Sequence, residues 1–177
     1  MDKPNPATTY LSKWPTKSDT RRTMRSALLA VAKALGGDDA ETYPWHELRY
    51  GTALSIPAKL ADAGLSVPTI NKSLVALRGV LEAAWRDGQI PDEEYRKIKV
   101  GSVRGRSLPA GHALSEADVR ALSEAVSRAK PREAALLAVL FSCGLRRIEV
   151  CRLVREDYDP REGRIRAFGK GNKARFV

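Results

Sequence analysis

Cysteine is nearly absent from this sequence. Cys143 and Cys151 are the only two; they form no CxxC pair, and no histidine lies near enough to complete a zinc set. A disulfide framework is excluded, metal binding is not expected, and both thiols read as small core residues in a reducing compartment. No apolar run approaches the roughly 20 residues of a membrane helix. The opening "MDKPNPATTY" lacks the apolar core of a signal peptide, so the expectation is a soluble cytoplasmic protein with no membrane partner. There is no internal repeat and no low-complexity segment. Acidic residues are also in short supply, with 21 Asp and Glu against 31 Lys and Arg, a net charge of +10. Such an excess favours a polyanionic partner, nucleic acid before others. It divides evenly, +5 on each side of residue 110, so neither half is a basic tail on a neutral body.

What is present is largely helical pattern. With 177 residues, 43% of them hydrophobic, the chain can bury a core and has room for one large domain or two small ones. In "SDTRRTMRSALLAVAKAL", Ser18 or Asp19 is a plausible N-cap, Met24, Leu28, Val31 and Leu35 form one apolar stripe, and Gly36 and Gly37 end the helix. A third helix is expected within "WHELRYGTALSIPAKLADAG", which Pro57 should start, kink or interrupt. In "SVPTINKSLVALRGVLEAAWRDG", Ile70, Leu74, Leu77, Leu81 and Trp85 share a face and Gly88 is the stop. Residues 100–112, "VGSVRGRSLPAGH", have no apolar period and read as a linker. Beyond them, Ser115 and Asp118 suggest an imperfect capping box. "PREAALLAVLFSCG" is apolar almost all round, as expected of a buried central helix, and "RIEVCRLVRED" extends the helical reading through Leu153. The period then changes to two. Arg164 to Phe168 alternate, residues 169–173 turn, and the pattern resumes, predicting a β-hairpin.

Two of these stretches carry a resemblance. "CGLRRIEVCRL" is similar to the Gly-Leu-Arg, two variable residues, Glu motif of the tyrosine recombinase (phage integrase) family, and "GKGNKARFV" resembles the hairpin that follows it there. The intervening "VREDYDPREGRIRAF" has suitable length, "SLPAGHALSEADVRAL" resembles the family's domain junction, and "PTINKSLVALRGVLEAA" its last long N-terminal helix. The resemblance implies a mainly α fold. A helical core-binding domain (a SAM-like bundle) would occupy residues 1–99 and a linker 100–112, with an α+β partial catalytic domain carrying a small antiparallel hairpin over 113–177. It implies DNA strand cleavage and rejoining through a 3′ phosphotyrosine, without metal or cofactor, on double-stranded recombination sites paired by a tetramer of the intact protein.

The resemblance also assigns roles to residues. Arg146 matches the first catalytic arginine, whose planar guanidinium can hold two non-bridging oxygens of a scissile phosphate. Glu149, three residues on, supports it from the same helical side. Lys170 matches the hairpin lysine that protonates the departing 5′ oxygen; a lysine between glycines reads alone as a solvated turn, and gains weight from following "GLRRIE" at this distance. Arg21, Arg22 and Arg25 on the second helix and Thr69, Asn71, Lys72 and Arg78 on the fourth occupy positions that face DNA in the family. Arg104, Arg106, Arg147 and Lys173 complete the candidate DNA contacts.

The family's His-x-x-Arg pair, its further His or Trp and its nucleophilic Tyr all follow the lysine hairpin. None follows Lys170 here. "HELRY", with His46 and Tyr50, spells a similar string about a hundred residues too early and in the helical half. The expectation is therefore an N-terminal portion of a recombinase that binds DNA without cleaving it, its last fifty residues less stable than its first hundred. The alternative is a naturally short, non-catalytic DNA-binding regulator of recombination sites.

Overall fold

A computed structural model describes residues 3–98, 100–105, 111, 113–169, 171 and 173–177. The chain forms two compact units, Met1–Pro109 and Ala110–Val177. Among the described residues, no helix is long and apolar enough to cross a membrane.

The first unit is all helical: α1 (Pro6–Leu11), α2 (Asp19–Ala34), a 3₁₀ turn (Trp45–Glu47), α3 (Tyr50–Asp62), α4 (Val67–Arg86) and α5 (Asp92–Lys97). Its ends follow the sequence signals closely. The Ser18 hydroxyl accepts the Thr20 N–H to cap α2. At the other end Gly36, with φ +88°, donates to the Lys33 carbonyl while Gly37 donates to that of Ala32, the paired bonds of a Schellman motif. The α4 stripe is the centre of the core, with Ile70, Leu74, Leu77 and Leu81 all buried against α1, α2 and α3. Gly79 on this helix leaves room for Tyr10, since a Cβ there would lie 2.0 Å from the Tyr10 ring. Trp45 is fully buried and donates its indole N–H to the Ala40 carbonyl at 2.7 Å. Trp14 meets Tyr10 edge-on. Trp85 is half-buried rather than central, stacked on Tyr95 of α5 at 4.9 Å.

Three expectations change in this unit. Helix α3 neither starts nor stops at Pro57 but continues past it, because the apolar face carried by Ala53, Ile56 and Leu60 is buried and its packing outweighs one missing backbone hydrogen bond. Helix α5 was not anticipated: six residues hold no apolar stripe, and its acidic first turn and basic last turn favour the helix electrostatically. The third change concerns the linker. Residues 100–105 lie along α4, where Arg78 donates to the Val100 carbonyl at 2.9 Å and Asn71 exchanges two hydrogen bonds with the Val103 backbone at 3.0 and 2.8 Å. Gly105 approaches Val67 at the start of the helix. From Arg78 back to Val67 a helix rises about 16 Å, and five residues of extended chain span about the same distance. The strap thus fits the helix in length.

The second unit contains α6 (Glu116–Arg128), α7 (Pro131–Ser142), α8 (Arg147–Val150), a 3₁₀ turn (Arg155–Asp157) and strands β1 (Tyr158–Asp159), β2 (Arg164–Phe168) and β3 (Ala174–Phe176). The strands form an antiparallel sheet in the order β1-β2-β3, with Ala167 opposite Arg175 and Phe168 opposite Ala174. The capping box on α6 is complete, Ser115 and Asp118 bonding reciprocally. Helix α7 departs from its expected burial: it has no buried residue and Phe141 is 58% exposed. Of the neighbouring helices α6 covers one side of it, and an all-round apolar helix needs cover on every side. The helical reading through Leu153 is also interrupted. Gly144 takes φ +56° and a separate four-residue helix begins at Arg147. Cys143 is half-buried, and Cys151, expected in the core, is exposed in the turn after that helix.

Candidate functional site

Few side chains are buried in the second unit, and two of those that are carry a carboxylate. Glu149 and Asp157 are 2% and 6% exposed, beside Leu145 and Ala167. Both acids do the same local job. Each sits at the third position of a short helix and accepts the N–H of the residue that precedes it: Arg146 N–H to Glu149 at 2.7 Å, Val154 N–H to Asp157 at 3.1 Å. Each also receives an arginine from the hairpin. Arg166 of β2 donates Nε and Nη2 to one Asp157 oxygen, and Arg175 of β3 donates Nη1 and Nη2 to the two Glu149 oxygens at 2.8 and 2.9 Å. The unit is thereby tied together by ion pairs where its apolar core is thin.

Around Glu149 the arrangement has chemical consequence. Arg146 is the N-cap residue, with φ −70° and ψ 149°, so its relation to Glu149 is that of a helix cap and not of two residues on one helical face. Its guanidinium makes a single contact to Glu149, Nη1 to Oε1 at 3.0 Å, and stays 71% exposed. The Arg175 fork, then the Arg146 N–H and side chain, hold the Glu149 carboxyl at about 2 against the opposing effect of its burial. The carboxylate is ionised throughout the physiological range, and the site presents an anchored, exposed guanidinium suited to an anionic oxygen.

The other candidate residues divide into groups. Arg22, Thr69 and Lys72 line one groove of about 520 Å³ between α2 and α4, and Arg21, Arg22 and Arg25 line a second of about 330 Å³ with Lys17. Arg25 is held by Asp39 and Glu41, which raise its pKa. The exposed Arg22–Asp19 pair contributes little. Asn71 and Arg78, by contrast, hold the strap on α4. Arg104, Arg147 and Lys173 are exposed. Lys170 and Arg106 lie outside the described residues. His46 and Tyr50 belong to the helical unit, Met1–Pro109.

Arg175 was missed by the sequence reading. A signal was available: a hairpin closed by the Gly169 N–H to the Lys173 carbonyl places residue 175 opposite Ala167, on the inward face of an alternating strand. What no pattern indicates is which acid it meets there.

The chain is basic and mainly α, with an exposed arginine tied to a buried glutamate and a hairpin after it, and comparison with known proteins gives its family. No protein-family model matches the chain. It is 35% identical over 119 residues to tyrosine recombinase XerD of Pseudomonas aeruginosa, covering 66% of this chain and 39% of that protein. It is 31% identical over 151 residues to tyrosine recombinase XerC of Pseudomonas aeruginosa strain LESB58, covering 84% and 47%. The solved structure of the Tn1549 transposon integrase, residues 82–397 in complex with circular intermediate DNA, matches the fold with a TM-score of 0.62 at 16% identity, over 99% of this chain and 59% of that one. The chain belongs to the tyrosine recombinase family. It spans under half the length of the curated relatives named here.

Proposed function

We propose that this chain is the DNA-binding and phosphate-gripping portion of a site-specific DNA recombinase. In the parent reaction a tyrosine hydroxyl attacks a DNA phosphate, a 3′ phosphotyrosine forms as the 5′ oxygen leaves, and the reverse attack rejoins the strands. Residues 1–99 act as the core-binding domain, 100–112 as the junction and 113–177 as the opening of the catalytic domain. Arg146 holds the non-bridging oxygens of the phosphate, Glu149 fixes that arginine, and Lys170 protonates the departing oxygen. The DNA duplex is the partner, and the intact protein assembles as a tetramer on paired sites.

The observation that carries this reading is the exposed Arg146 guanidinium, tied at one point to a buried, ionised Glu149. A guanidinium spent wholly on its own protein would have little left for a phosphate. The grooves lined by Arg22, Thr69 and Lys72 and by Arg21 and Arg25 support a DNA-facing side on the helical unit. The open apolar faces of α6 and α7 support the reading of residues 113–177 as part of a larger domain.

The test is DNA binding against salt, followed by cleavage. The chain should bind duplex DNA with an affinity that falls steeply as salt rises, each neutralised phosphate contributing about one unit to the log–log slope. On a nicked suicide substrate residues 1–177 should leave no covalent adduct, since all five of their tyrosines precede the hairpin. Binding that is absent at low salt or indifferent to salt overturns the DNA reading. An adduct on any of the five tyrosines overturns the assignment of domains.

A further inference from the structure

A carboxylate offers about four lone-pair positions to donors, and at Glu149 four donors are in place. Arg175 supplies two, one to each oxygen; Arg146 supplies its backbone N–H to Oε2 and Nη1 to Oε1. The sharing between the arginines is unequal. Arg175 takes the fork, the stronger and more directional mode, and Arg146 is left with one side-chain contact. The hairpin makes room for this: a Cβ at Gly169 would lie 3.3 Å from Glu149 Oε1 and 3.6 Å from Arg175 Nη1, tight enough to disturb the fork. Asp157 shows the contrasting case: among the described residues Arg166 is its one arginine, so no second guanidinium depends on how its oxygens are shared.

We infer that Arg175 is a positioning residue for Arg146: by occupying both oxygens of Glu149 it confines Arg146 to a single contact and leaves the remainder of that guanidinium directed outward to receive a DNA phosphate. The inference rests on the DNA reading above. Without Arg175 a buried carboxylate loses two donors, and a buried charge so exposed to desolvation recruits the nearest cation. That cation is Arg146, already bonded to Oε1. It turns its fork onto Glu149 and is withdrawn from the phosphate.

A double-mutant cycle on the full chain tests this, with a fluorescein-labelled DNA duplex at low salt as the probe. Arg146→Ala should weaken binding by about tenfold in the parent chain, the loss of one charge-assisted hydrogen bond. In an Arg175→Gln background it should weaken binding by less than about threefold, because Arg146 is already withdrawn. In an Arg166→Gln background, which removes the same charge from the same hairpin without touching Glu149, the tenfold effect should return. An equal effect of Arg146→Ala in the Arg175→Gln and parent backgrounds overturns the inference. Arg175→Lys, which keeps the charge and cannot fork, carries the cycle if Arg175→Gln fails to fold. The second measurement is the ¹⁵N spectrum of the Arg146 guanidinium without DNA. Its rotation should slow in Arg175→Gln and Arg175→Lys as a two-point pairing forms, and unchanged signals overturn the inference independently of DNA. Absence of DNA binding by the parent chain overturns the proposed function, and the spectrum still decides the relation between the two arginines.

Discussion

Asn71→Ala should release the strap from α4. The Asn71 amide donates to the Val103 carbonyl and accepts the Val103 N–H at 3.0 and 2.8 Å, and both bonds disappear with the side chain. A neutral hydrogen bond contributes about 1 kcal/mol net, so the pair is worth about 2 kcal/mol, or roughly a thirtyfold change in the equilibrium for local opening. Arg78 still holds Val100, so the opening should be confined to the end of the strap near Arg104. Limited trypsin digestion reads this directly, because cleavage after Arg104 requires the chain to leave the helix, and the rate follows the open population when reclosing is fast. Asn71→Ala should accelerate that one cleavage by about thirtyfold and leave cleavages elsewhere in the helical unit unchanged. Thr69→Ala on the same helix, whose side chain bonds to Ser66, should leave it unchanged too. If Asn71→Ala digests at the parent rate, Asn71 does not pin the strap, and its role as a DNA contact becomes the better account of its position.

Gly79→Ala should destabilise the helical unit by about 1–3 kcal/mol in urea denaturation, because the new Cβ meets the Tyr10 ring at 2.0 Å and overpacking outweighs the gain in helix propensity of about 1 kcal/mol; restoration by Tyr10→Leu would confirm the steric cause, and a stabilised Gly79→Ala would refute it. Glu149 has its carboxyl at about 2, depressed below the ordinary value of 4.5, so the stability it contributes is present above about pH 4.5 and is lost as pH falls through 2. Protection against amide exchange at Ala167, whose strand partner Arg175 bonds to Glu149, should fall across that window, and Glu149→Gln should remove most of the pH dependence. Trp45→Phe should lower the melting temperature, since it removes the indole N–H that the buried Ala40 carbonyl accepts at 2.7 Å; an unchanged melting temperature would show that packing alone holds this turn.

The sequence by itself determined the parts of this protein that depend on near neighbours along the chain. The stripes of α2 and α4, the Ser18 cap, the glycines after Leu35, the Ser115–Asp118 box and the alternation from Arg164 to Phe168 are all local. Their physical causes act within four residues, so they can be read before anything is folded. The "GLRRIE" stretch was legible through its family resemblance, whereas the helix cap that joins Arg146 to Glu149 appears only in the structure. Tertiary structure decided what depends on partners far apart in sequence. Pro57 sits inside α3 because the rest of that face is buried, residues 100–105 follow α4 because Asn71 and Arg78 hold their backbone, and α7 stays exposed because α6 covers one side. Charge pairing is the extreme case. With 31 basic and 21 acidic residues, almost any arginine has many acids to choose from in the unfolded chain, and the choice of Glu149 by Arg175, 26 residues away, is made only when the hairpin closes and sets its register.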